Sequence, residues 1–176
     1  MKTIKLMMMT LMMCFLGASF SQTDTTGFTI QLSKIVELDS SFTAQKTTSS
    51  FLNWVALNFK SANNVIQLKD VENSNVILKF ILSSSPMSMG VPADGSTHCT
   101  LSFKAVDNRY KIEFSQIYFK YRLNEYIVTY EEYKTAYLDG KAGKKTAINY
   151  ILSLNGELIA IYNSITSALN VKSDGF

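Results

Sequence analysis

The strongest constraint on this chain is a set of segments in which residues alternate one by one between two faces. Over 75–82, Val76, Leu78, Phe80 and Leu82 fall on one face. Cys99, Leu101, Phe103 and Ala105 alternate with Thr100, Ser102 and Lys104. Successive side chains of a strand point to opposite sides, so these segments read as strands with one face buried. Residues 28–38 put Phe28, Ile30 and Leu32 on one face, break at Ser33-Lys34, and resume with Val36 and Leu38. Residues 109–122 put Tyr110, Ile112 and Phe114 together, slip near Ser115-Gln116, and continue with Ile117, Phe119 and Tyr121. A slip in a period-two pattern is the mark of a β-bulge, and both breaks are read that way. Residues 65–70 form a further strand, joined to 75–82 by a run of hairpin-turn composition, DVENSN.

Two segments carry the helical period instead. Phe51, Leu52, Val55, Ala56 and Phe59 recur at helical spacing, with Trp54 at the margin and Asn53, Asn58 and Lys60 outside. Asp39, Ser40 and Ser41 are candidate caps for this helix of about four turns, which ends near 61–64. A longer helix is expected over 144–170, with Ile148, Ile151, Leu152, Asn155, Leu158, Ile159, Tyr162, Ile165 and Leu169 in one broad stripe. Asn149, Ser153, Glu157 and Ser164 are placed opposite, and Gly156 is read as a bend. Residues 83–97, which hold both prolines, read as an exposed loop. Residues 123–143, rich in tyrosine and charge, read as a poorly ordered connection with one helical turn around 131–137. Half-buried strands want helices on one side only. The expected class is therefore α+β: a curved antiparallel sheet of about five strands with two helices on one face, in the order β-α-β-β-β-β-α.

The first residues distort the overall composition. A positive start with Lys2 and Lys5 precedes an apolar run over 6–17 and small residues around Ala18-Ser19, which is the pattern of a secretory leader. Cleavage is expected after Ser21, leaving residues 22–176 as one domain in the periplasm or outside the cell. The apolar run is shorter than the roughly 20 residues a spanning helix needs, so no transmembrane segment is expected in the mature chain. Without Lys2 and Lys5 the Lys and Arg residues fall from 17 to 15 against 14 acids. A chain so close to neutral lacks the basic footprint of nucleic-acid binding. Cys99 becomes the single cysteine, which rules out an internal disulfide; it is a reactive thiol, a link between chains or a small buried residue.

The sequence places no catalytic residue, cofactor or metal site. His98 and Cys99 are neighbours on a strand and point to opposite faces, and one His with one Cys falls short of a zinc ligand set. Glu131-Glu132 and the pair Asp70 and Glu72 are the nearest carboxylates, both in segments where solvated charge is ordinary. Residues 140–146 have the wrong glycine spacing for a phosphate loop. The surface that remains is the polar side of the sheet. Ile77, Lys79, Ile81, Lys104, Lys111 and Tyr118 are expected there with Thr100, Ser102 and Glu113, as a face for a protein or glycan partner of the envelope or as plain solvated sheet.

The run Leu52-Asn53-Trp54-Val55-Ala56-Leu57-Asn58-Phe59-Lys60-Ser61-Ala62 and the strand that follows resemble a domain family of unknown function found in exported bacterial proteins. Residues 99–114 resemble its paired strands and 157–170 its closing helix. The turn at Asn73-Ser74-Asn75 lacks the glycine expected in such proteins. The resemblance implies a TATA-binding-protein-like (TBP-like) fold and carries no catalytic residue with it. The fold's name is not an activity: TATA-binding protein binds DNA with a duplicated basic sheet, and this chain holds one copy with almost no net charge. The expected function is a non-enzymatic binding or interaction module; the alternative is a carrier of a small apolar ligand held between the sheet and the last helix.

Overall fold

A computed structural model of the chain describes residues 33–88, 90–139 and 144–170. The leader, the start of the first strand over 28–32 and most of the glycine-containing run at 140–146 lie outside these residues.

Five antiparallel strands form the main sheet: β1 (Ser33–Glu37), β2 (Ile66–Asp70), β3 (Asn75–Leu82), β6 (Gly95–Val106) and β7 (Arg109–Tyr121), in the spatial order β1-β7-β6-β3-β2. Between β3 and β6 lies a two-stranded ladder, β4 (Met87–Ser88) with β5 (Val91–Pro92). A short strand β8 (Ile127–Thr129) adds to the far end of β7. The helices are α1 (Ala44–Asn58), the single turn α2 (Ala62–Val65), α3 (Tyr130–Leu138) and α4 (Lys144–Asn170). The expected α+β class and the one-sided roof are what the structure shows.

The alternating residues explain the sheet. Val76, Leu78, Phe80, Leu101, Phe103, Ala105, Ile112 and Phe114 are buried and share one face. α1 crosses this face over β6 and β7, and α4 packs beside it. Phe51 of α1 stacks on Phe103 of β6 with ring centroids 4.0 Å apart. The indole N–H of Trp54 donates to the Ser164 hydroxyl of α4 at 2.9 Å, tying the two helices together.

The slip at Ser115-Gln116 is a bulge. Pairing passes from His98 opposite Tyr118 to Thr100 opposite Ser115, so β7 holds one extra residue there. Gln116 takes φ 48° to accommodate it. The break at Ser33-Lys34 is not a bulge: pairing with β7 runs unbroken from Ser33 opposite Glu113 to Glu37 opposite Arg109. Lys34 keeps the phase of Val36 and lays its ammonium 4.9 Å from the centre of the Tyr162 ring, so a long aliphatic stem stands in for an apolar residue.

Other expectations need correction. The cap of α1 is Thr43, whose hydroxyl accepts from the Lys46 N–H at 3.2 Å; Asp39, Ser40 and Ser41 lie too early. Trp54, expected at the margin of the stripe, is buried, and Ala56, expected within it, is exposed. Strand β6 begins at Gly95, well inside the expected loop 83–97, because Thr97 buries its hydroxyl against the Ser84 carbonyl and Tyr150. The segment read as a poorly ordered connection holds β8 and the nine-residue α3, so the helical turn expected around 131–137 is part of a longer helix. The signal for α3 was a capping box: the Thr129 N–H donates to the Glu132 carboxylate at 2.7 Å while the Glu132 N–H donates to the Thr129 hydroxyl at 3.2 Å. Its Tyr130 and Tyr133 pack onto the core.

On α4 the buried stripe is Tyr150, Ile151, Leu154, Asn155, Leu158, Tyr162, Ile165 and Leu169. Leu152 is half exposed, and the helix runs through Gly156 as one element. Glu157 does not face open solvent but bonds to the end of β3.

Candidate functional site

The sheet face away from α1 and α4 is the surface of interest, and its membership follows from the register. Rows run across it from Ile35 through Lys111 and Lys104, from Glu113 through Ser102 and Ile77 to Leu68, and from Tyr118 through His98 to Ile81. Ile77, Lys79, Ile81, Lys104, Lys111 and Tyr118, the six residues expected on a partner surface, all lie on this side. Large apolar side chains are exposed on four of its strands: Ile35 (59%), Leu68 (41%), Ile81 (63%) and Val106 (42%). Sequence reading missed Ile35, which lies beside the misread break, Leu68, whose strand pairs with β3 through a shift of register, and Val106 at the end of β6.

Charges on this face are partly engaged. Lys111 pairs with Glu113, and Lys120 with Glu125. Lys79 and Lys104 have no carboxylate partner among the described residues. Near the bulge the face sinks into a shallow depression of about 230 Å³, with Lys79 as its one charged side chain. His98 and Tyr118 stack there with centroids 4.9 Å apart and planes 11° from parallel. Ser96 bonds to His98 Nε2 at 2.8 Å. Burial, and secondarily the Lys120 charge, hold the imidazole pKa below its ordinary value, so His98 is neutral at pH 7. The Thr100 hydroxyl donates to Gln116 Oε1 at 3.0 Å across the bulge.

A second concavity, about 360 Å³ and open to solvent, lies where α1 ends against β3 and α4. Trp54, Phe59, Phe80, Leu82 and Ile161 form its apolar walls, and Glu157 lies at its edge.

The chemical candidates have structural roles. Cys99 is buried on the core face, opposite in direction to His98. Burial, with the Glu157 charge adding to it, pushes the thiol up to about 12, so it is no thiolate nucleophile at neutral pH. Asp70 accepts the side-chain and backbone N–H groups of Asn73 at 2.7 and 3.0 Å, closing the β2–β3 turn, and these bonds hold its pKa low. Glu132 closes the cap of α3, and the Thr129 bonds lower its pKa likewise. Among the described residues, no three His, Cys, Asp or Glu side chains converge as a metal site. No described helix is long and apolar enough to cross a membrane.

The main antiparallel sheet, β1-β7-β6-β3-β2, roofed on one side by the long helix α4 and by α1 crossing it, defines an α+β protein of TBP-like architecture. Residues 34–120 match the family described as a domain of unknown function (DUF4468) with TBP-like fold. Among solved structures it is similar to a DUF4468 family protein from Bacteroides ovatus, at 13% identity and a TM-score of 0.55, over 88% of this chain and 100% of that one. It is also similar to a TBP-like protein from Parabacteroides distasonis, at 14% identity and a TM-score of 0.57, over 78% of this chain and 90% of the other. No curated protein matches the chain. At such identities the likeness shows the fold alone.

Proposed function

We propose that the chain is a non-enzymatic binding module of the bacterial envelope that meets its partner through the uncovered face of the sheet. The exposure of Ile35, Leu68, Ile81 and Val106 on that face carries the reading. Each leaves apolar area in water that docking would remove, at roughly 25 cal/mol per Å². Interspersed lysines provide a polar setting of the kind that surrounds interaction surfaces. The structural employment of Asp70, Cys99 and Glu132 supports a role without catalysis. The leader read at 1–21 and the bacterial sources of both similar structures support an envelope location. The near-balance of charge in the mature chain speaks against nucleic acid.

Affinity capture from an envelope extract of the native host tests this, using wild type, Ile81→Glu and a helix-side control, Ala168→Glu. The reading expects a partner held by wild type and the control and lost by Ile81→Glu. A partner lost only by the control contradicts it.

The open groove beside Trp54 and Phe59 favours a second reading, a carrier of a small apolar ligand. Its apolar walls suit an acyl or isoprenoid chain. Mass spectrometry of the purified protein would then find bound lipid, and Phe59→Glu would lose it; lipid-free protein that takes up none on addition contradicts this reading.

A further inference from the structure

We infer that the depression at the β7 bulge is a subsite for an acidic saccharide, a sugar unit bearing a carboxylate. This rests on the open face being the working surface and specifies what one part of it takes. Three observations point the same way.

Charge comes first. Lys79 is the one charged residue lining the depression, no carboxylate lines it, and no described acid pairs with Lys79. Among the face's acids, Glu113 is engaged by Lys111 and Asp70 by Asn73. A carboxylate entering here meets an ammonium group with no competing anion in the depression, and the resulting hydrogen bond is charge-assisted.

The neutral lining is the second. Thr100, Gln116 and Tyr118 bring hydroxyl and amide groups to a lining whose apolar part is Phe80, Ile81 and Cys99, a mixture that suits the hydroxyls and C–H faces of a sugar. Because Gln116 Oε1 accepts the Thr100 hydroxyl, its amide nitrogen is left as the donor. The His98–Tyr118 stack adds a flat, uncharged ring surface beside these donors. Paired amide and hydroxyl groups next to an aromatic face match a ligand rich in hydroxyls.

The backbone is the third. Gln116 adopts φ 48°, a left-handed conformation that costs a non-glycine residue free energy. The bulge re-aims this one side chain on an otherwise regular strand, and bulges are over-represented beside functional sites. The size agrees as well: at about 230 Å³ the depression falls below the roughly 300–1,000 Å³ of pockets that hold drug-sized ligands, which suits one sugar unit of a longer chain.

Calorimetric titration of the purified chain with trigalacturonate tests the inference, with trigalactose as the neutral sugar and oligoglutamate as the acidic peptide. The variants are Lys79→Gln, Gln116→Ala and Lys104→Gln, the last removing an equally unpaired cation elsewhere on the face. The expected result is binding of trigalacturonate alone, weakened at least tenfold by Lys79→Gln and by Gln116→Ala and unchanged by Lys104→Gln. Equal weakening by Lys104→Gln would reveal diffuse attraction and overturn the subsite. Equal binding of oligoglutamate or of trigalactose, or no binding of trigalacturonate, overturns the ligand class. If trigalacturonate fails while Ile81→Glu still abolishes capture of an envelope partner, the saccharide falls and the binding-module reading stands; if Ile81→Glu changes nothing either, both fall.

Discussion

Glu157, in the middle of α4, reaches 74 residues back along the chain to Ser83 at the end of β3 and accepts both its backbone N–H at 2.7 Å and its hydroxyl at 3.0 Å. The other carboxylate oxygen takes the N–H and hydroxyl of Ser84 at 2.9 and 2.7 Å. One side chain thus satisfies the backbone where β3 stops and fixes the long helix to the sheet.

Replacing this carboxylate with an amide keeps the shape and reverses half of the hydrogen bonding. Glu157→Gln should cost about 1–2 kcal/mol, measured by urea denaturation at pH 7. Burial opposes ionisation of Glu157, but the bonds from Ser83 and Ser84 outweigh it and hold the pKa below its ordinary 4.5. The folded state therefore binds the proton less readily than the unfolded one. Its stabilisation is complete above the unfolded value and is lost as pH falls through the folded one. Between pH 5 and 3 the wild type should lose more stability than Glu157→Gln, and parallel losses would show that the carboxylate is not the acid-sensitive group.

The stack of Phe51 on Phe103 carries the contact between α1 and the sheet, with both rings fully buried. Phe51→Ala and Phe103→Ala should each destabilise by about 3–5 kcal/mol. A double-mutant cycle should then give a coupling of about 1 kcal/mol, since each truncation removes the same ring pair. Additive losses would mean the rings pack independently.

Two positions should gain stability from small changes. Ser74 sits at φ 50° in the β2–β3 turn, at the place where the sequence resemblance calls for a glycine. Ser74→Gly should raise stability by up to about 1 kcal/mol by relieving that conformation. Gly156 lies mid-helix with open space around an added Cβ, so Gly156→Ala should raise it by about 1 kcal/mol. Urea midpoints read both, and a loss at Gly156→Ala would mean that the glycine has a role in packing.

Cys99 should resist alkylation in the folded protein. Its burial and raised pKa leave almost no thiolate at pH 8, so iodoacetamide should label the Cys99 peptide only after denaturation. Rapid labelling under native conditions would contradict its place in the core.

Much of this architecture was legible because period two survives in strands that have a single buried face. Residues 75–82 and the bulge at Ser115-Gln116 could be read from phase alone. What escaped was structure whose buried groups are not plainly apolar. Thr97 enters the core as a hydroxyl with two partners, hiding the start of β6. Tyr130 and Tyr133 bury rings with polar ends in a segment crowded with charge, hiding α3. Lys34 imitates a break in phase while its stem keeps the strand in register. Glu157 reads as a solvent-side residue because its partners lie far away in sequence. The candidate surface was legible as a face, since register follows from parity. The depression within it was not, because it depends on the twist and on φ at Gln116, neither of which residue types specify.

Docking of a partner on the uncovered sheet face can be read by lysine acetylation footprinting of the captured complex. Lys79 and Lys104 lie on that face, whereas Lys46 and Lys145 are exposed on the helical elements. Partner binding should slow acetylation of Lys79 and Lys104 and leave Lys46 and Lys145 unchanged. Slowing at Lys46 and Lys145 with Lys79 and Lys104 still fully reactive would contradict it.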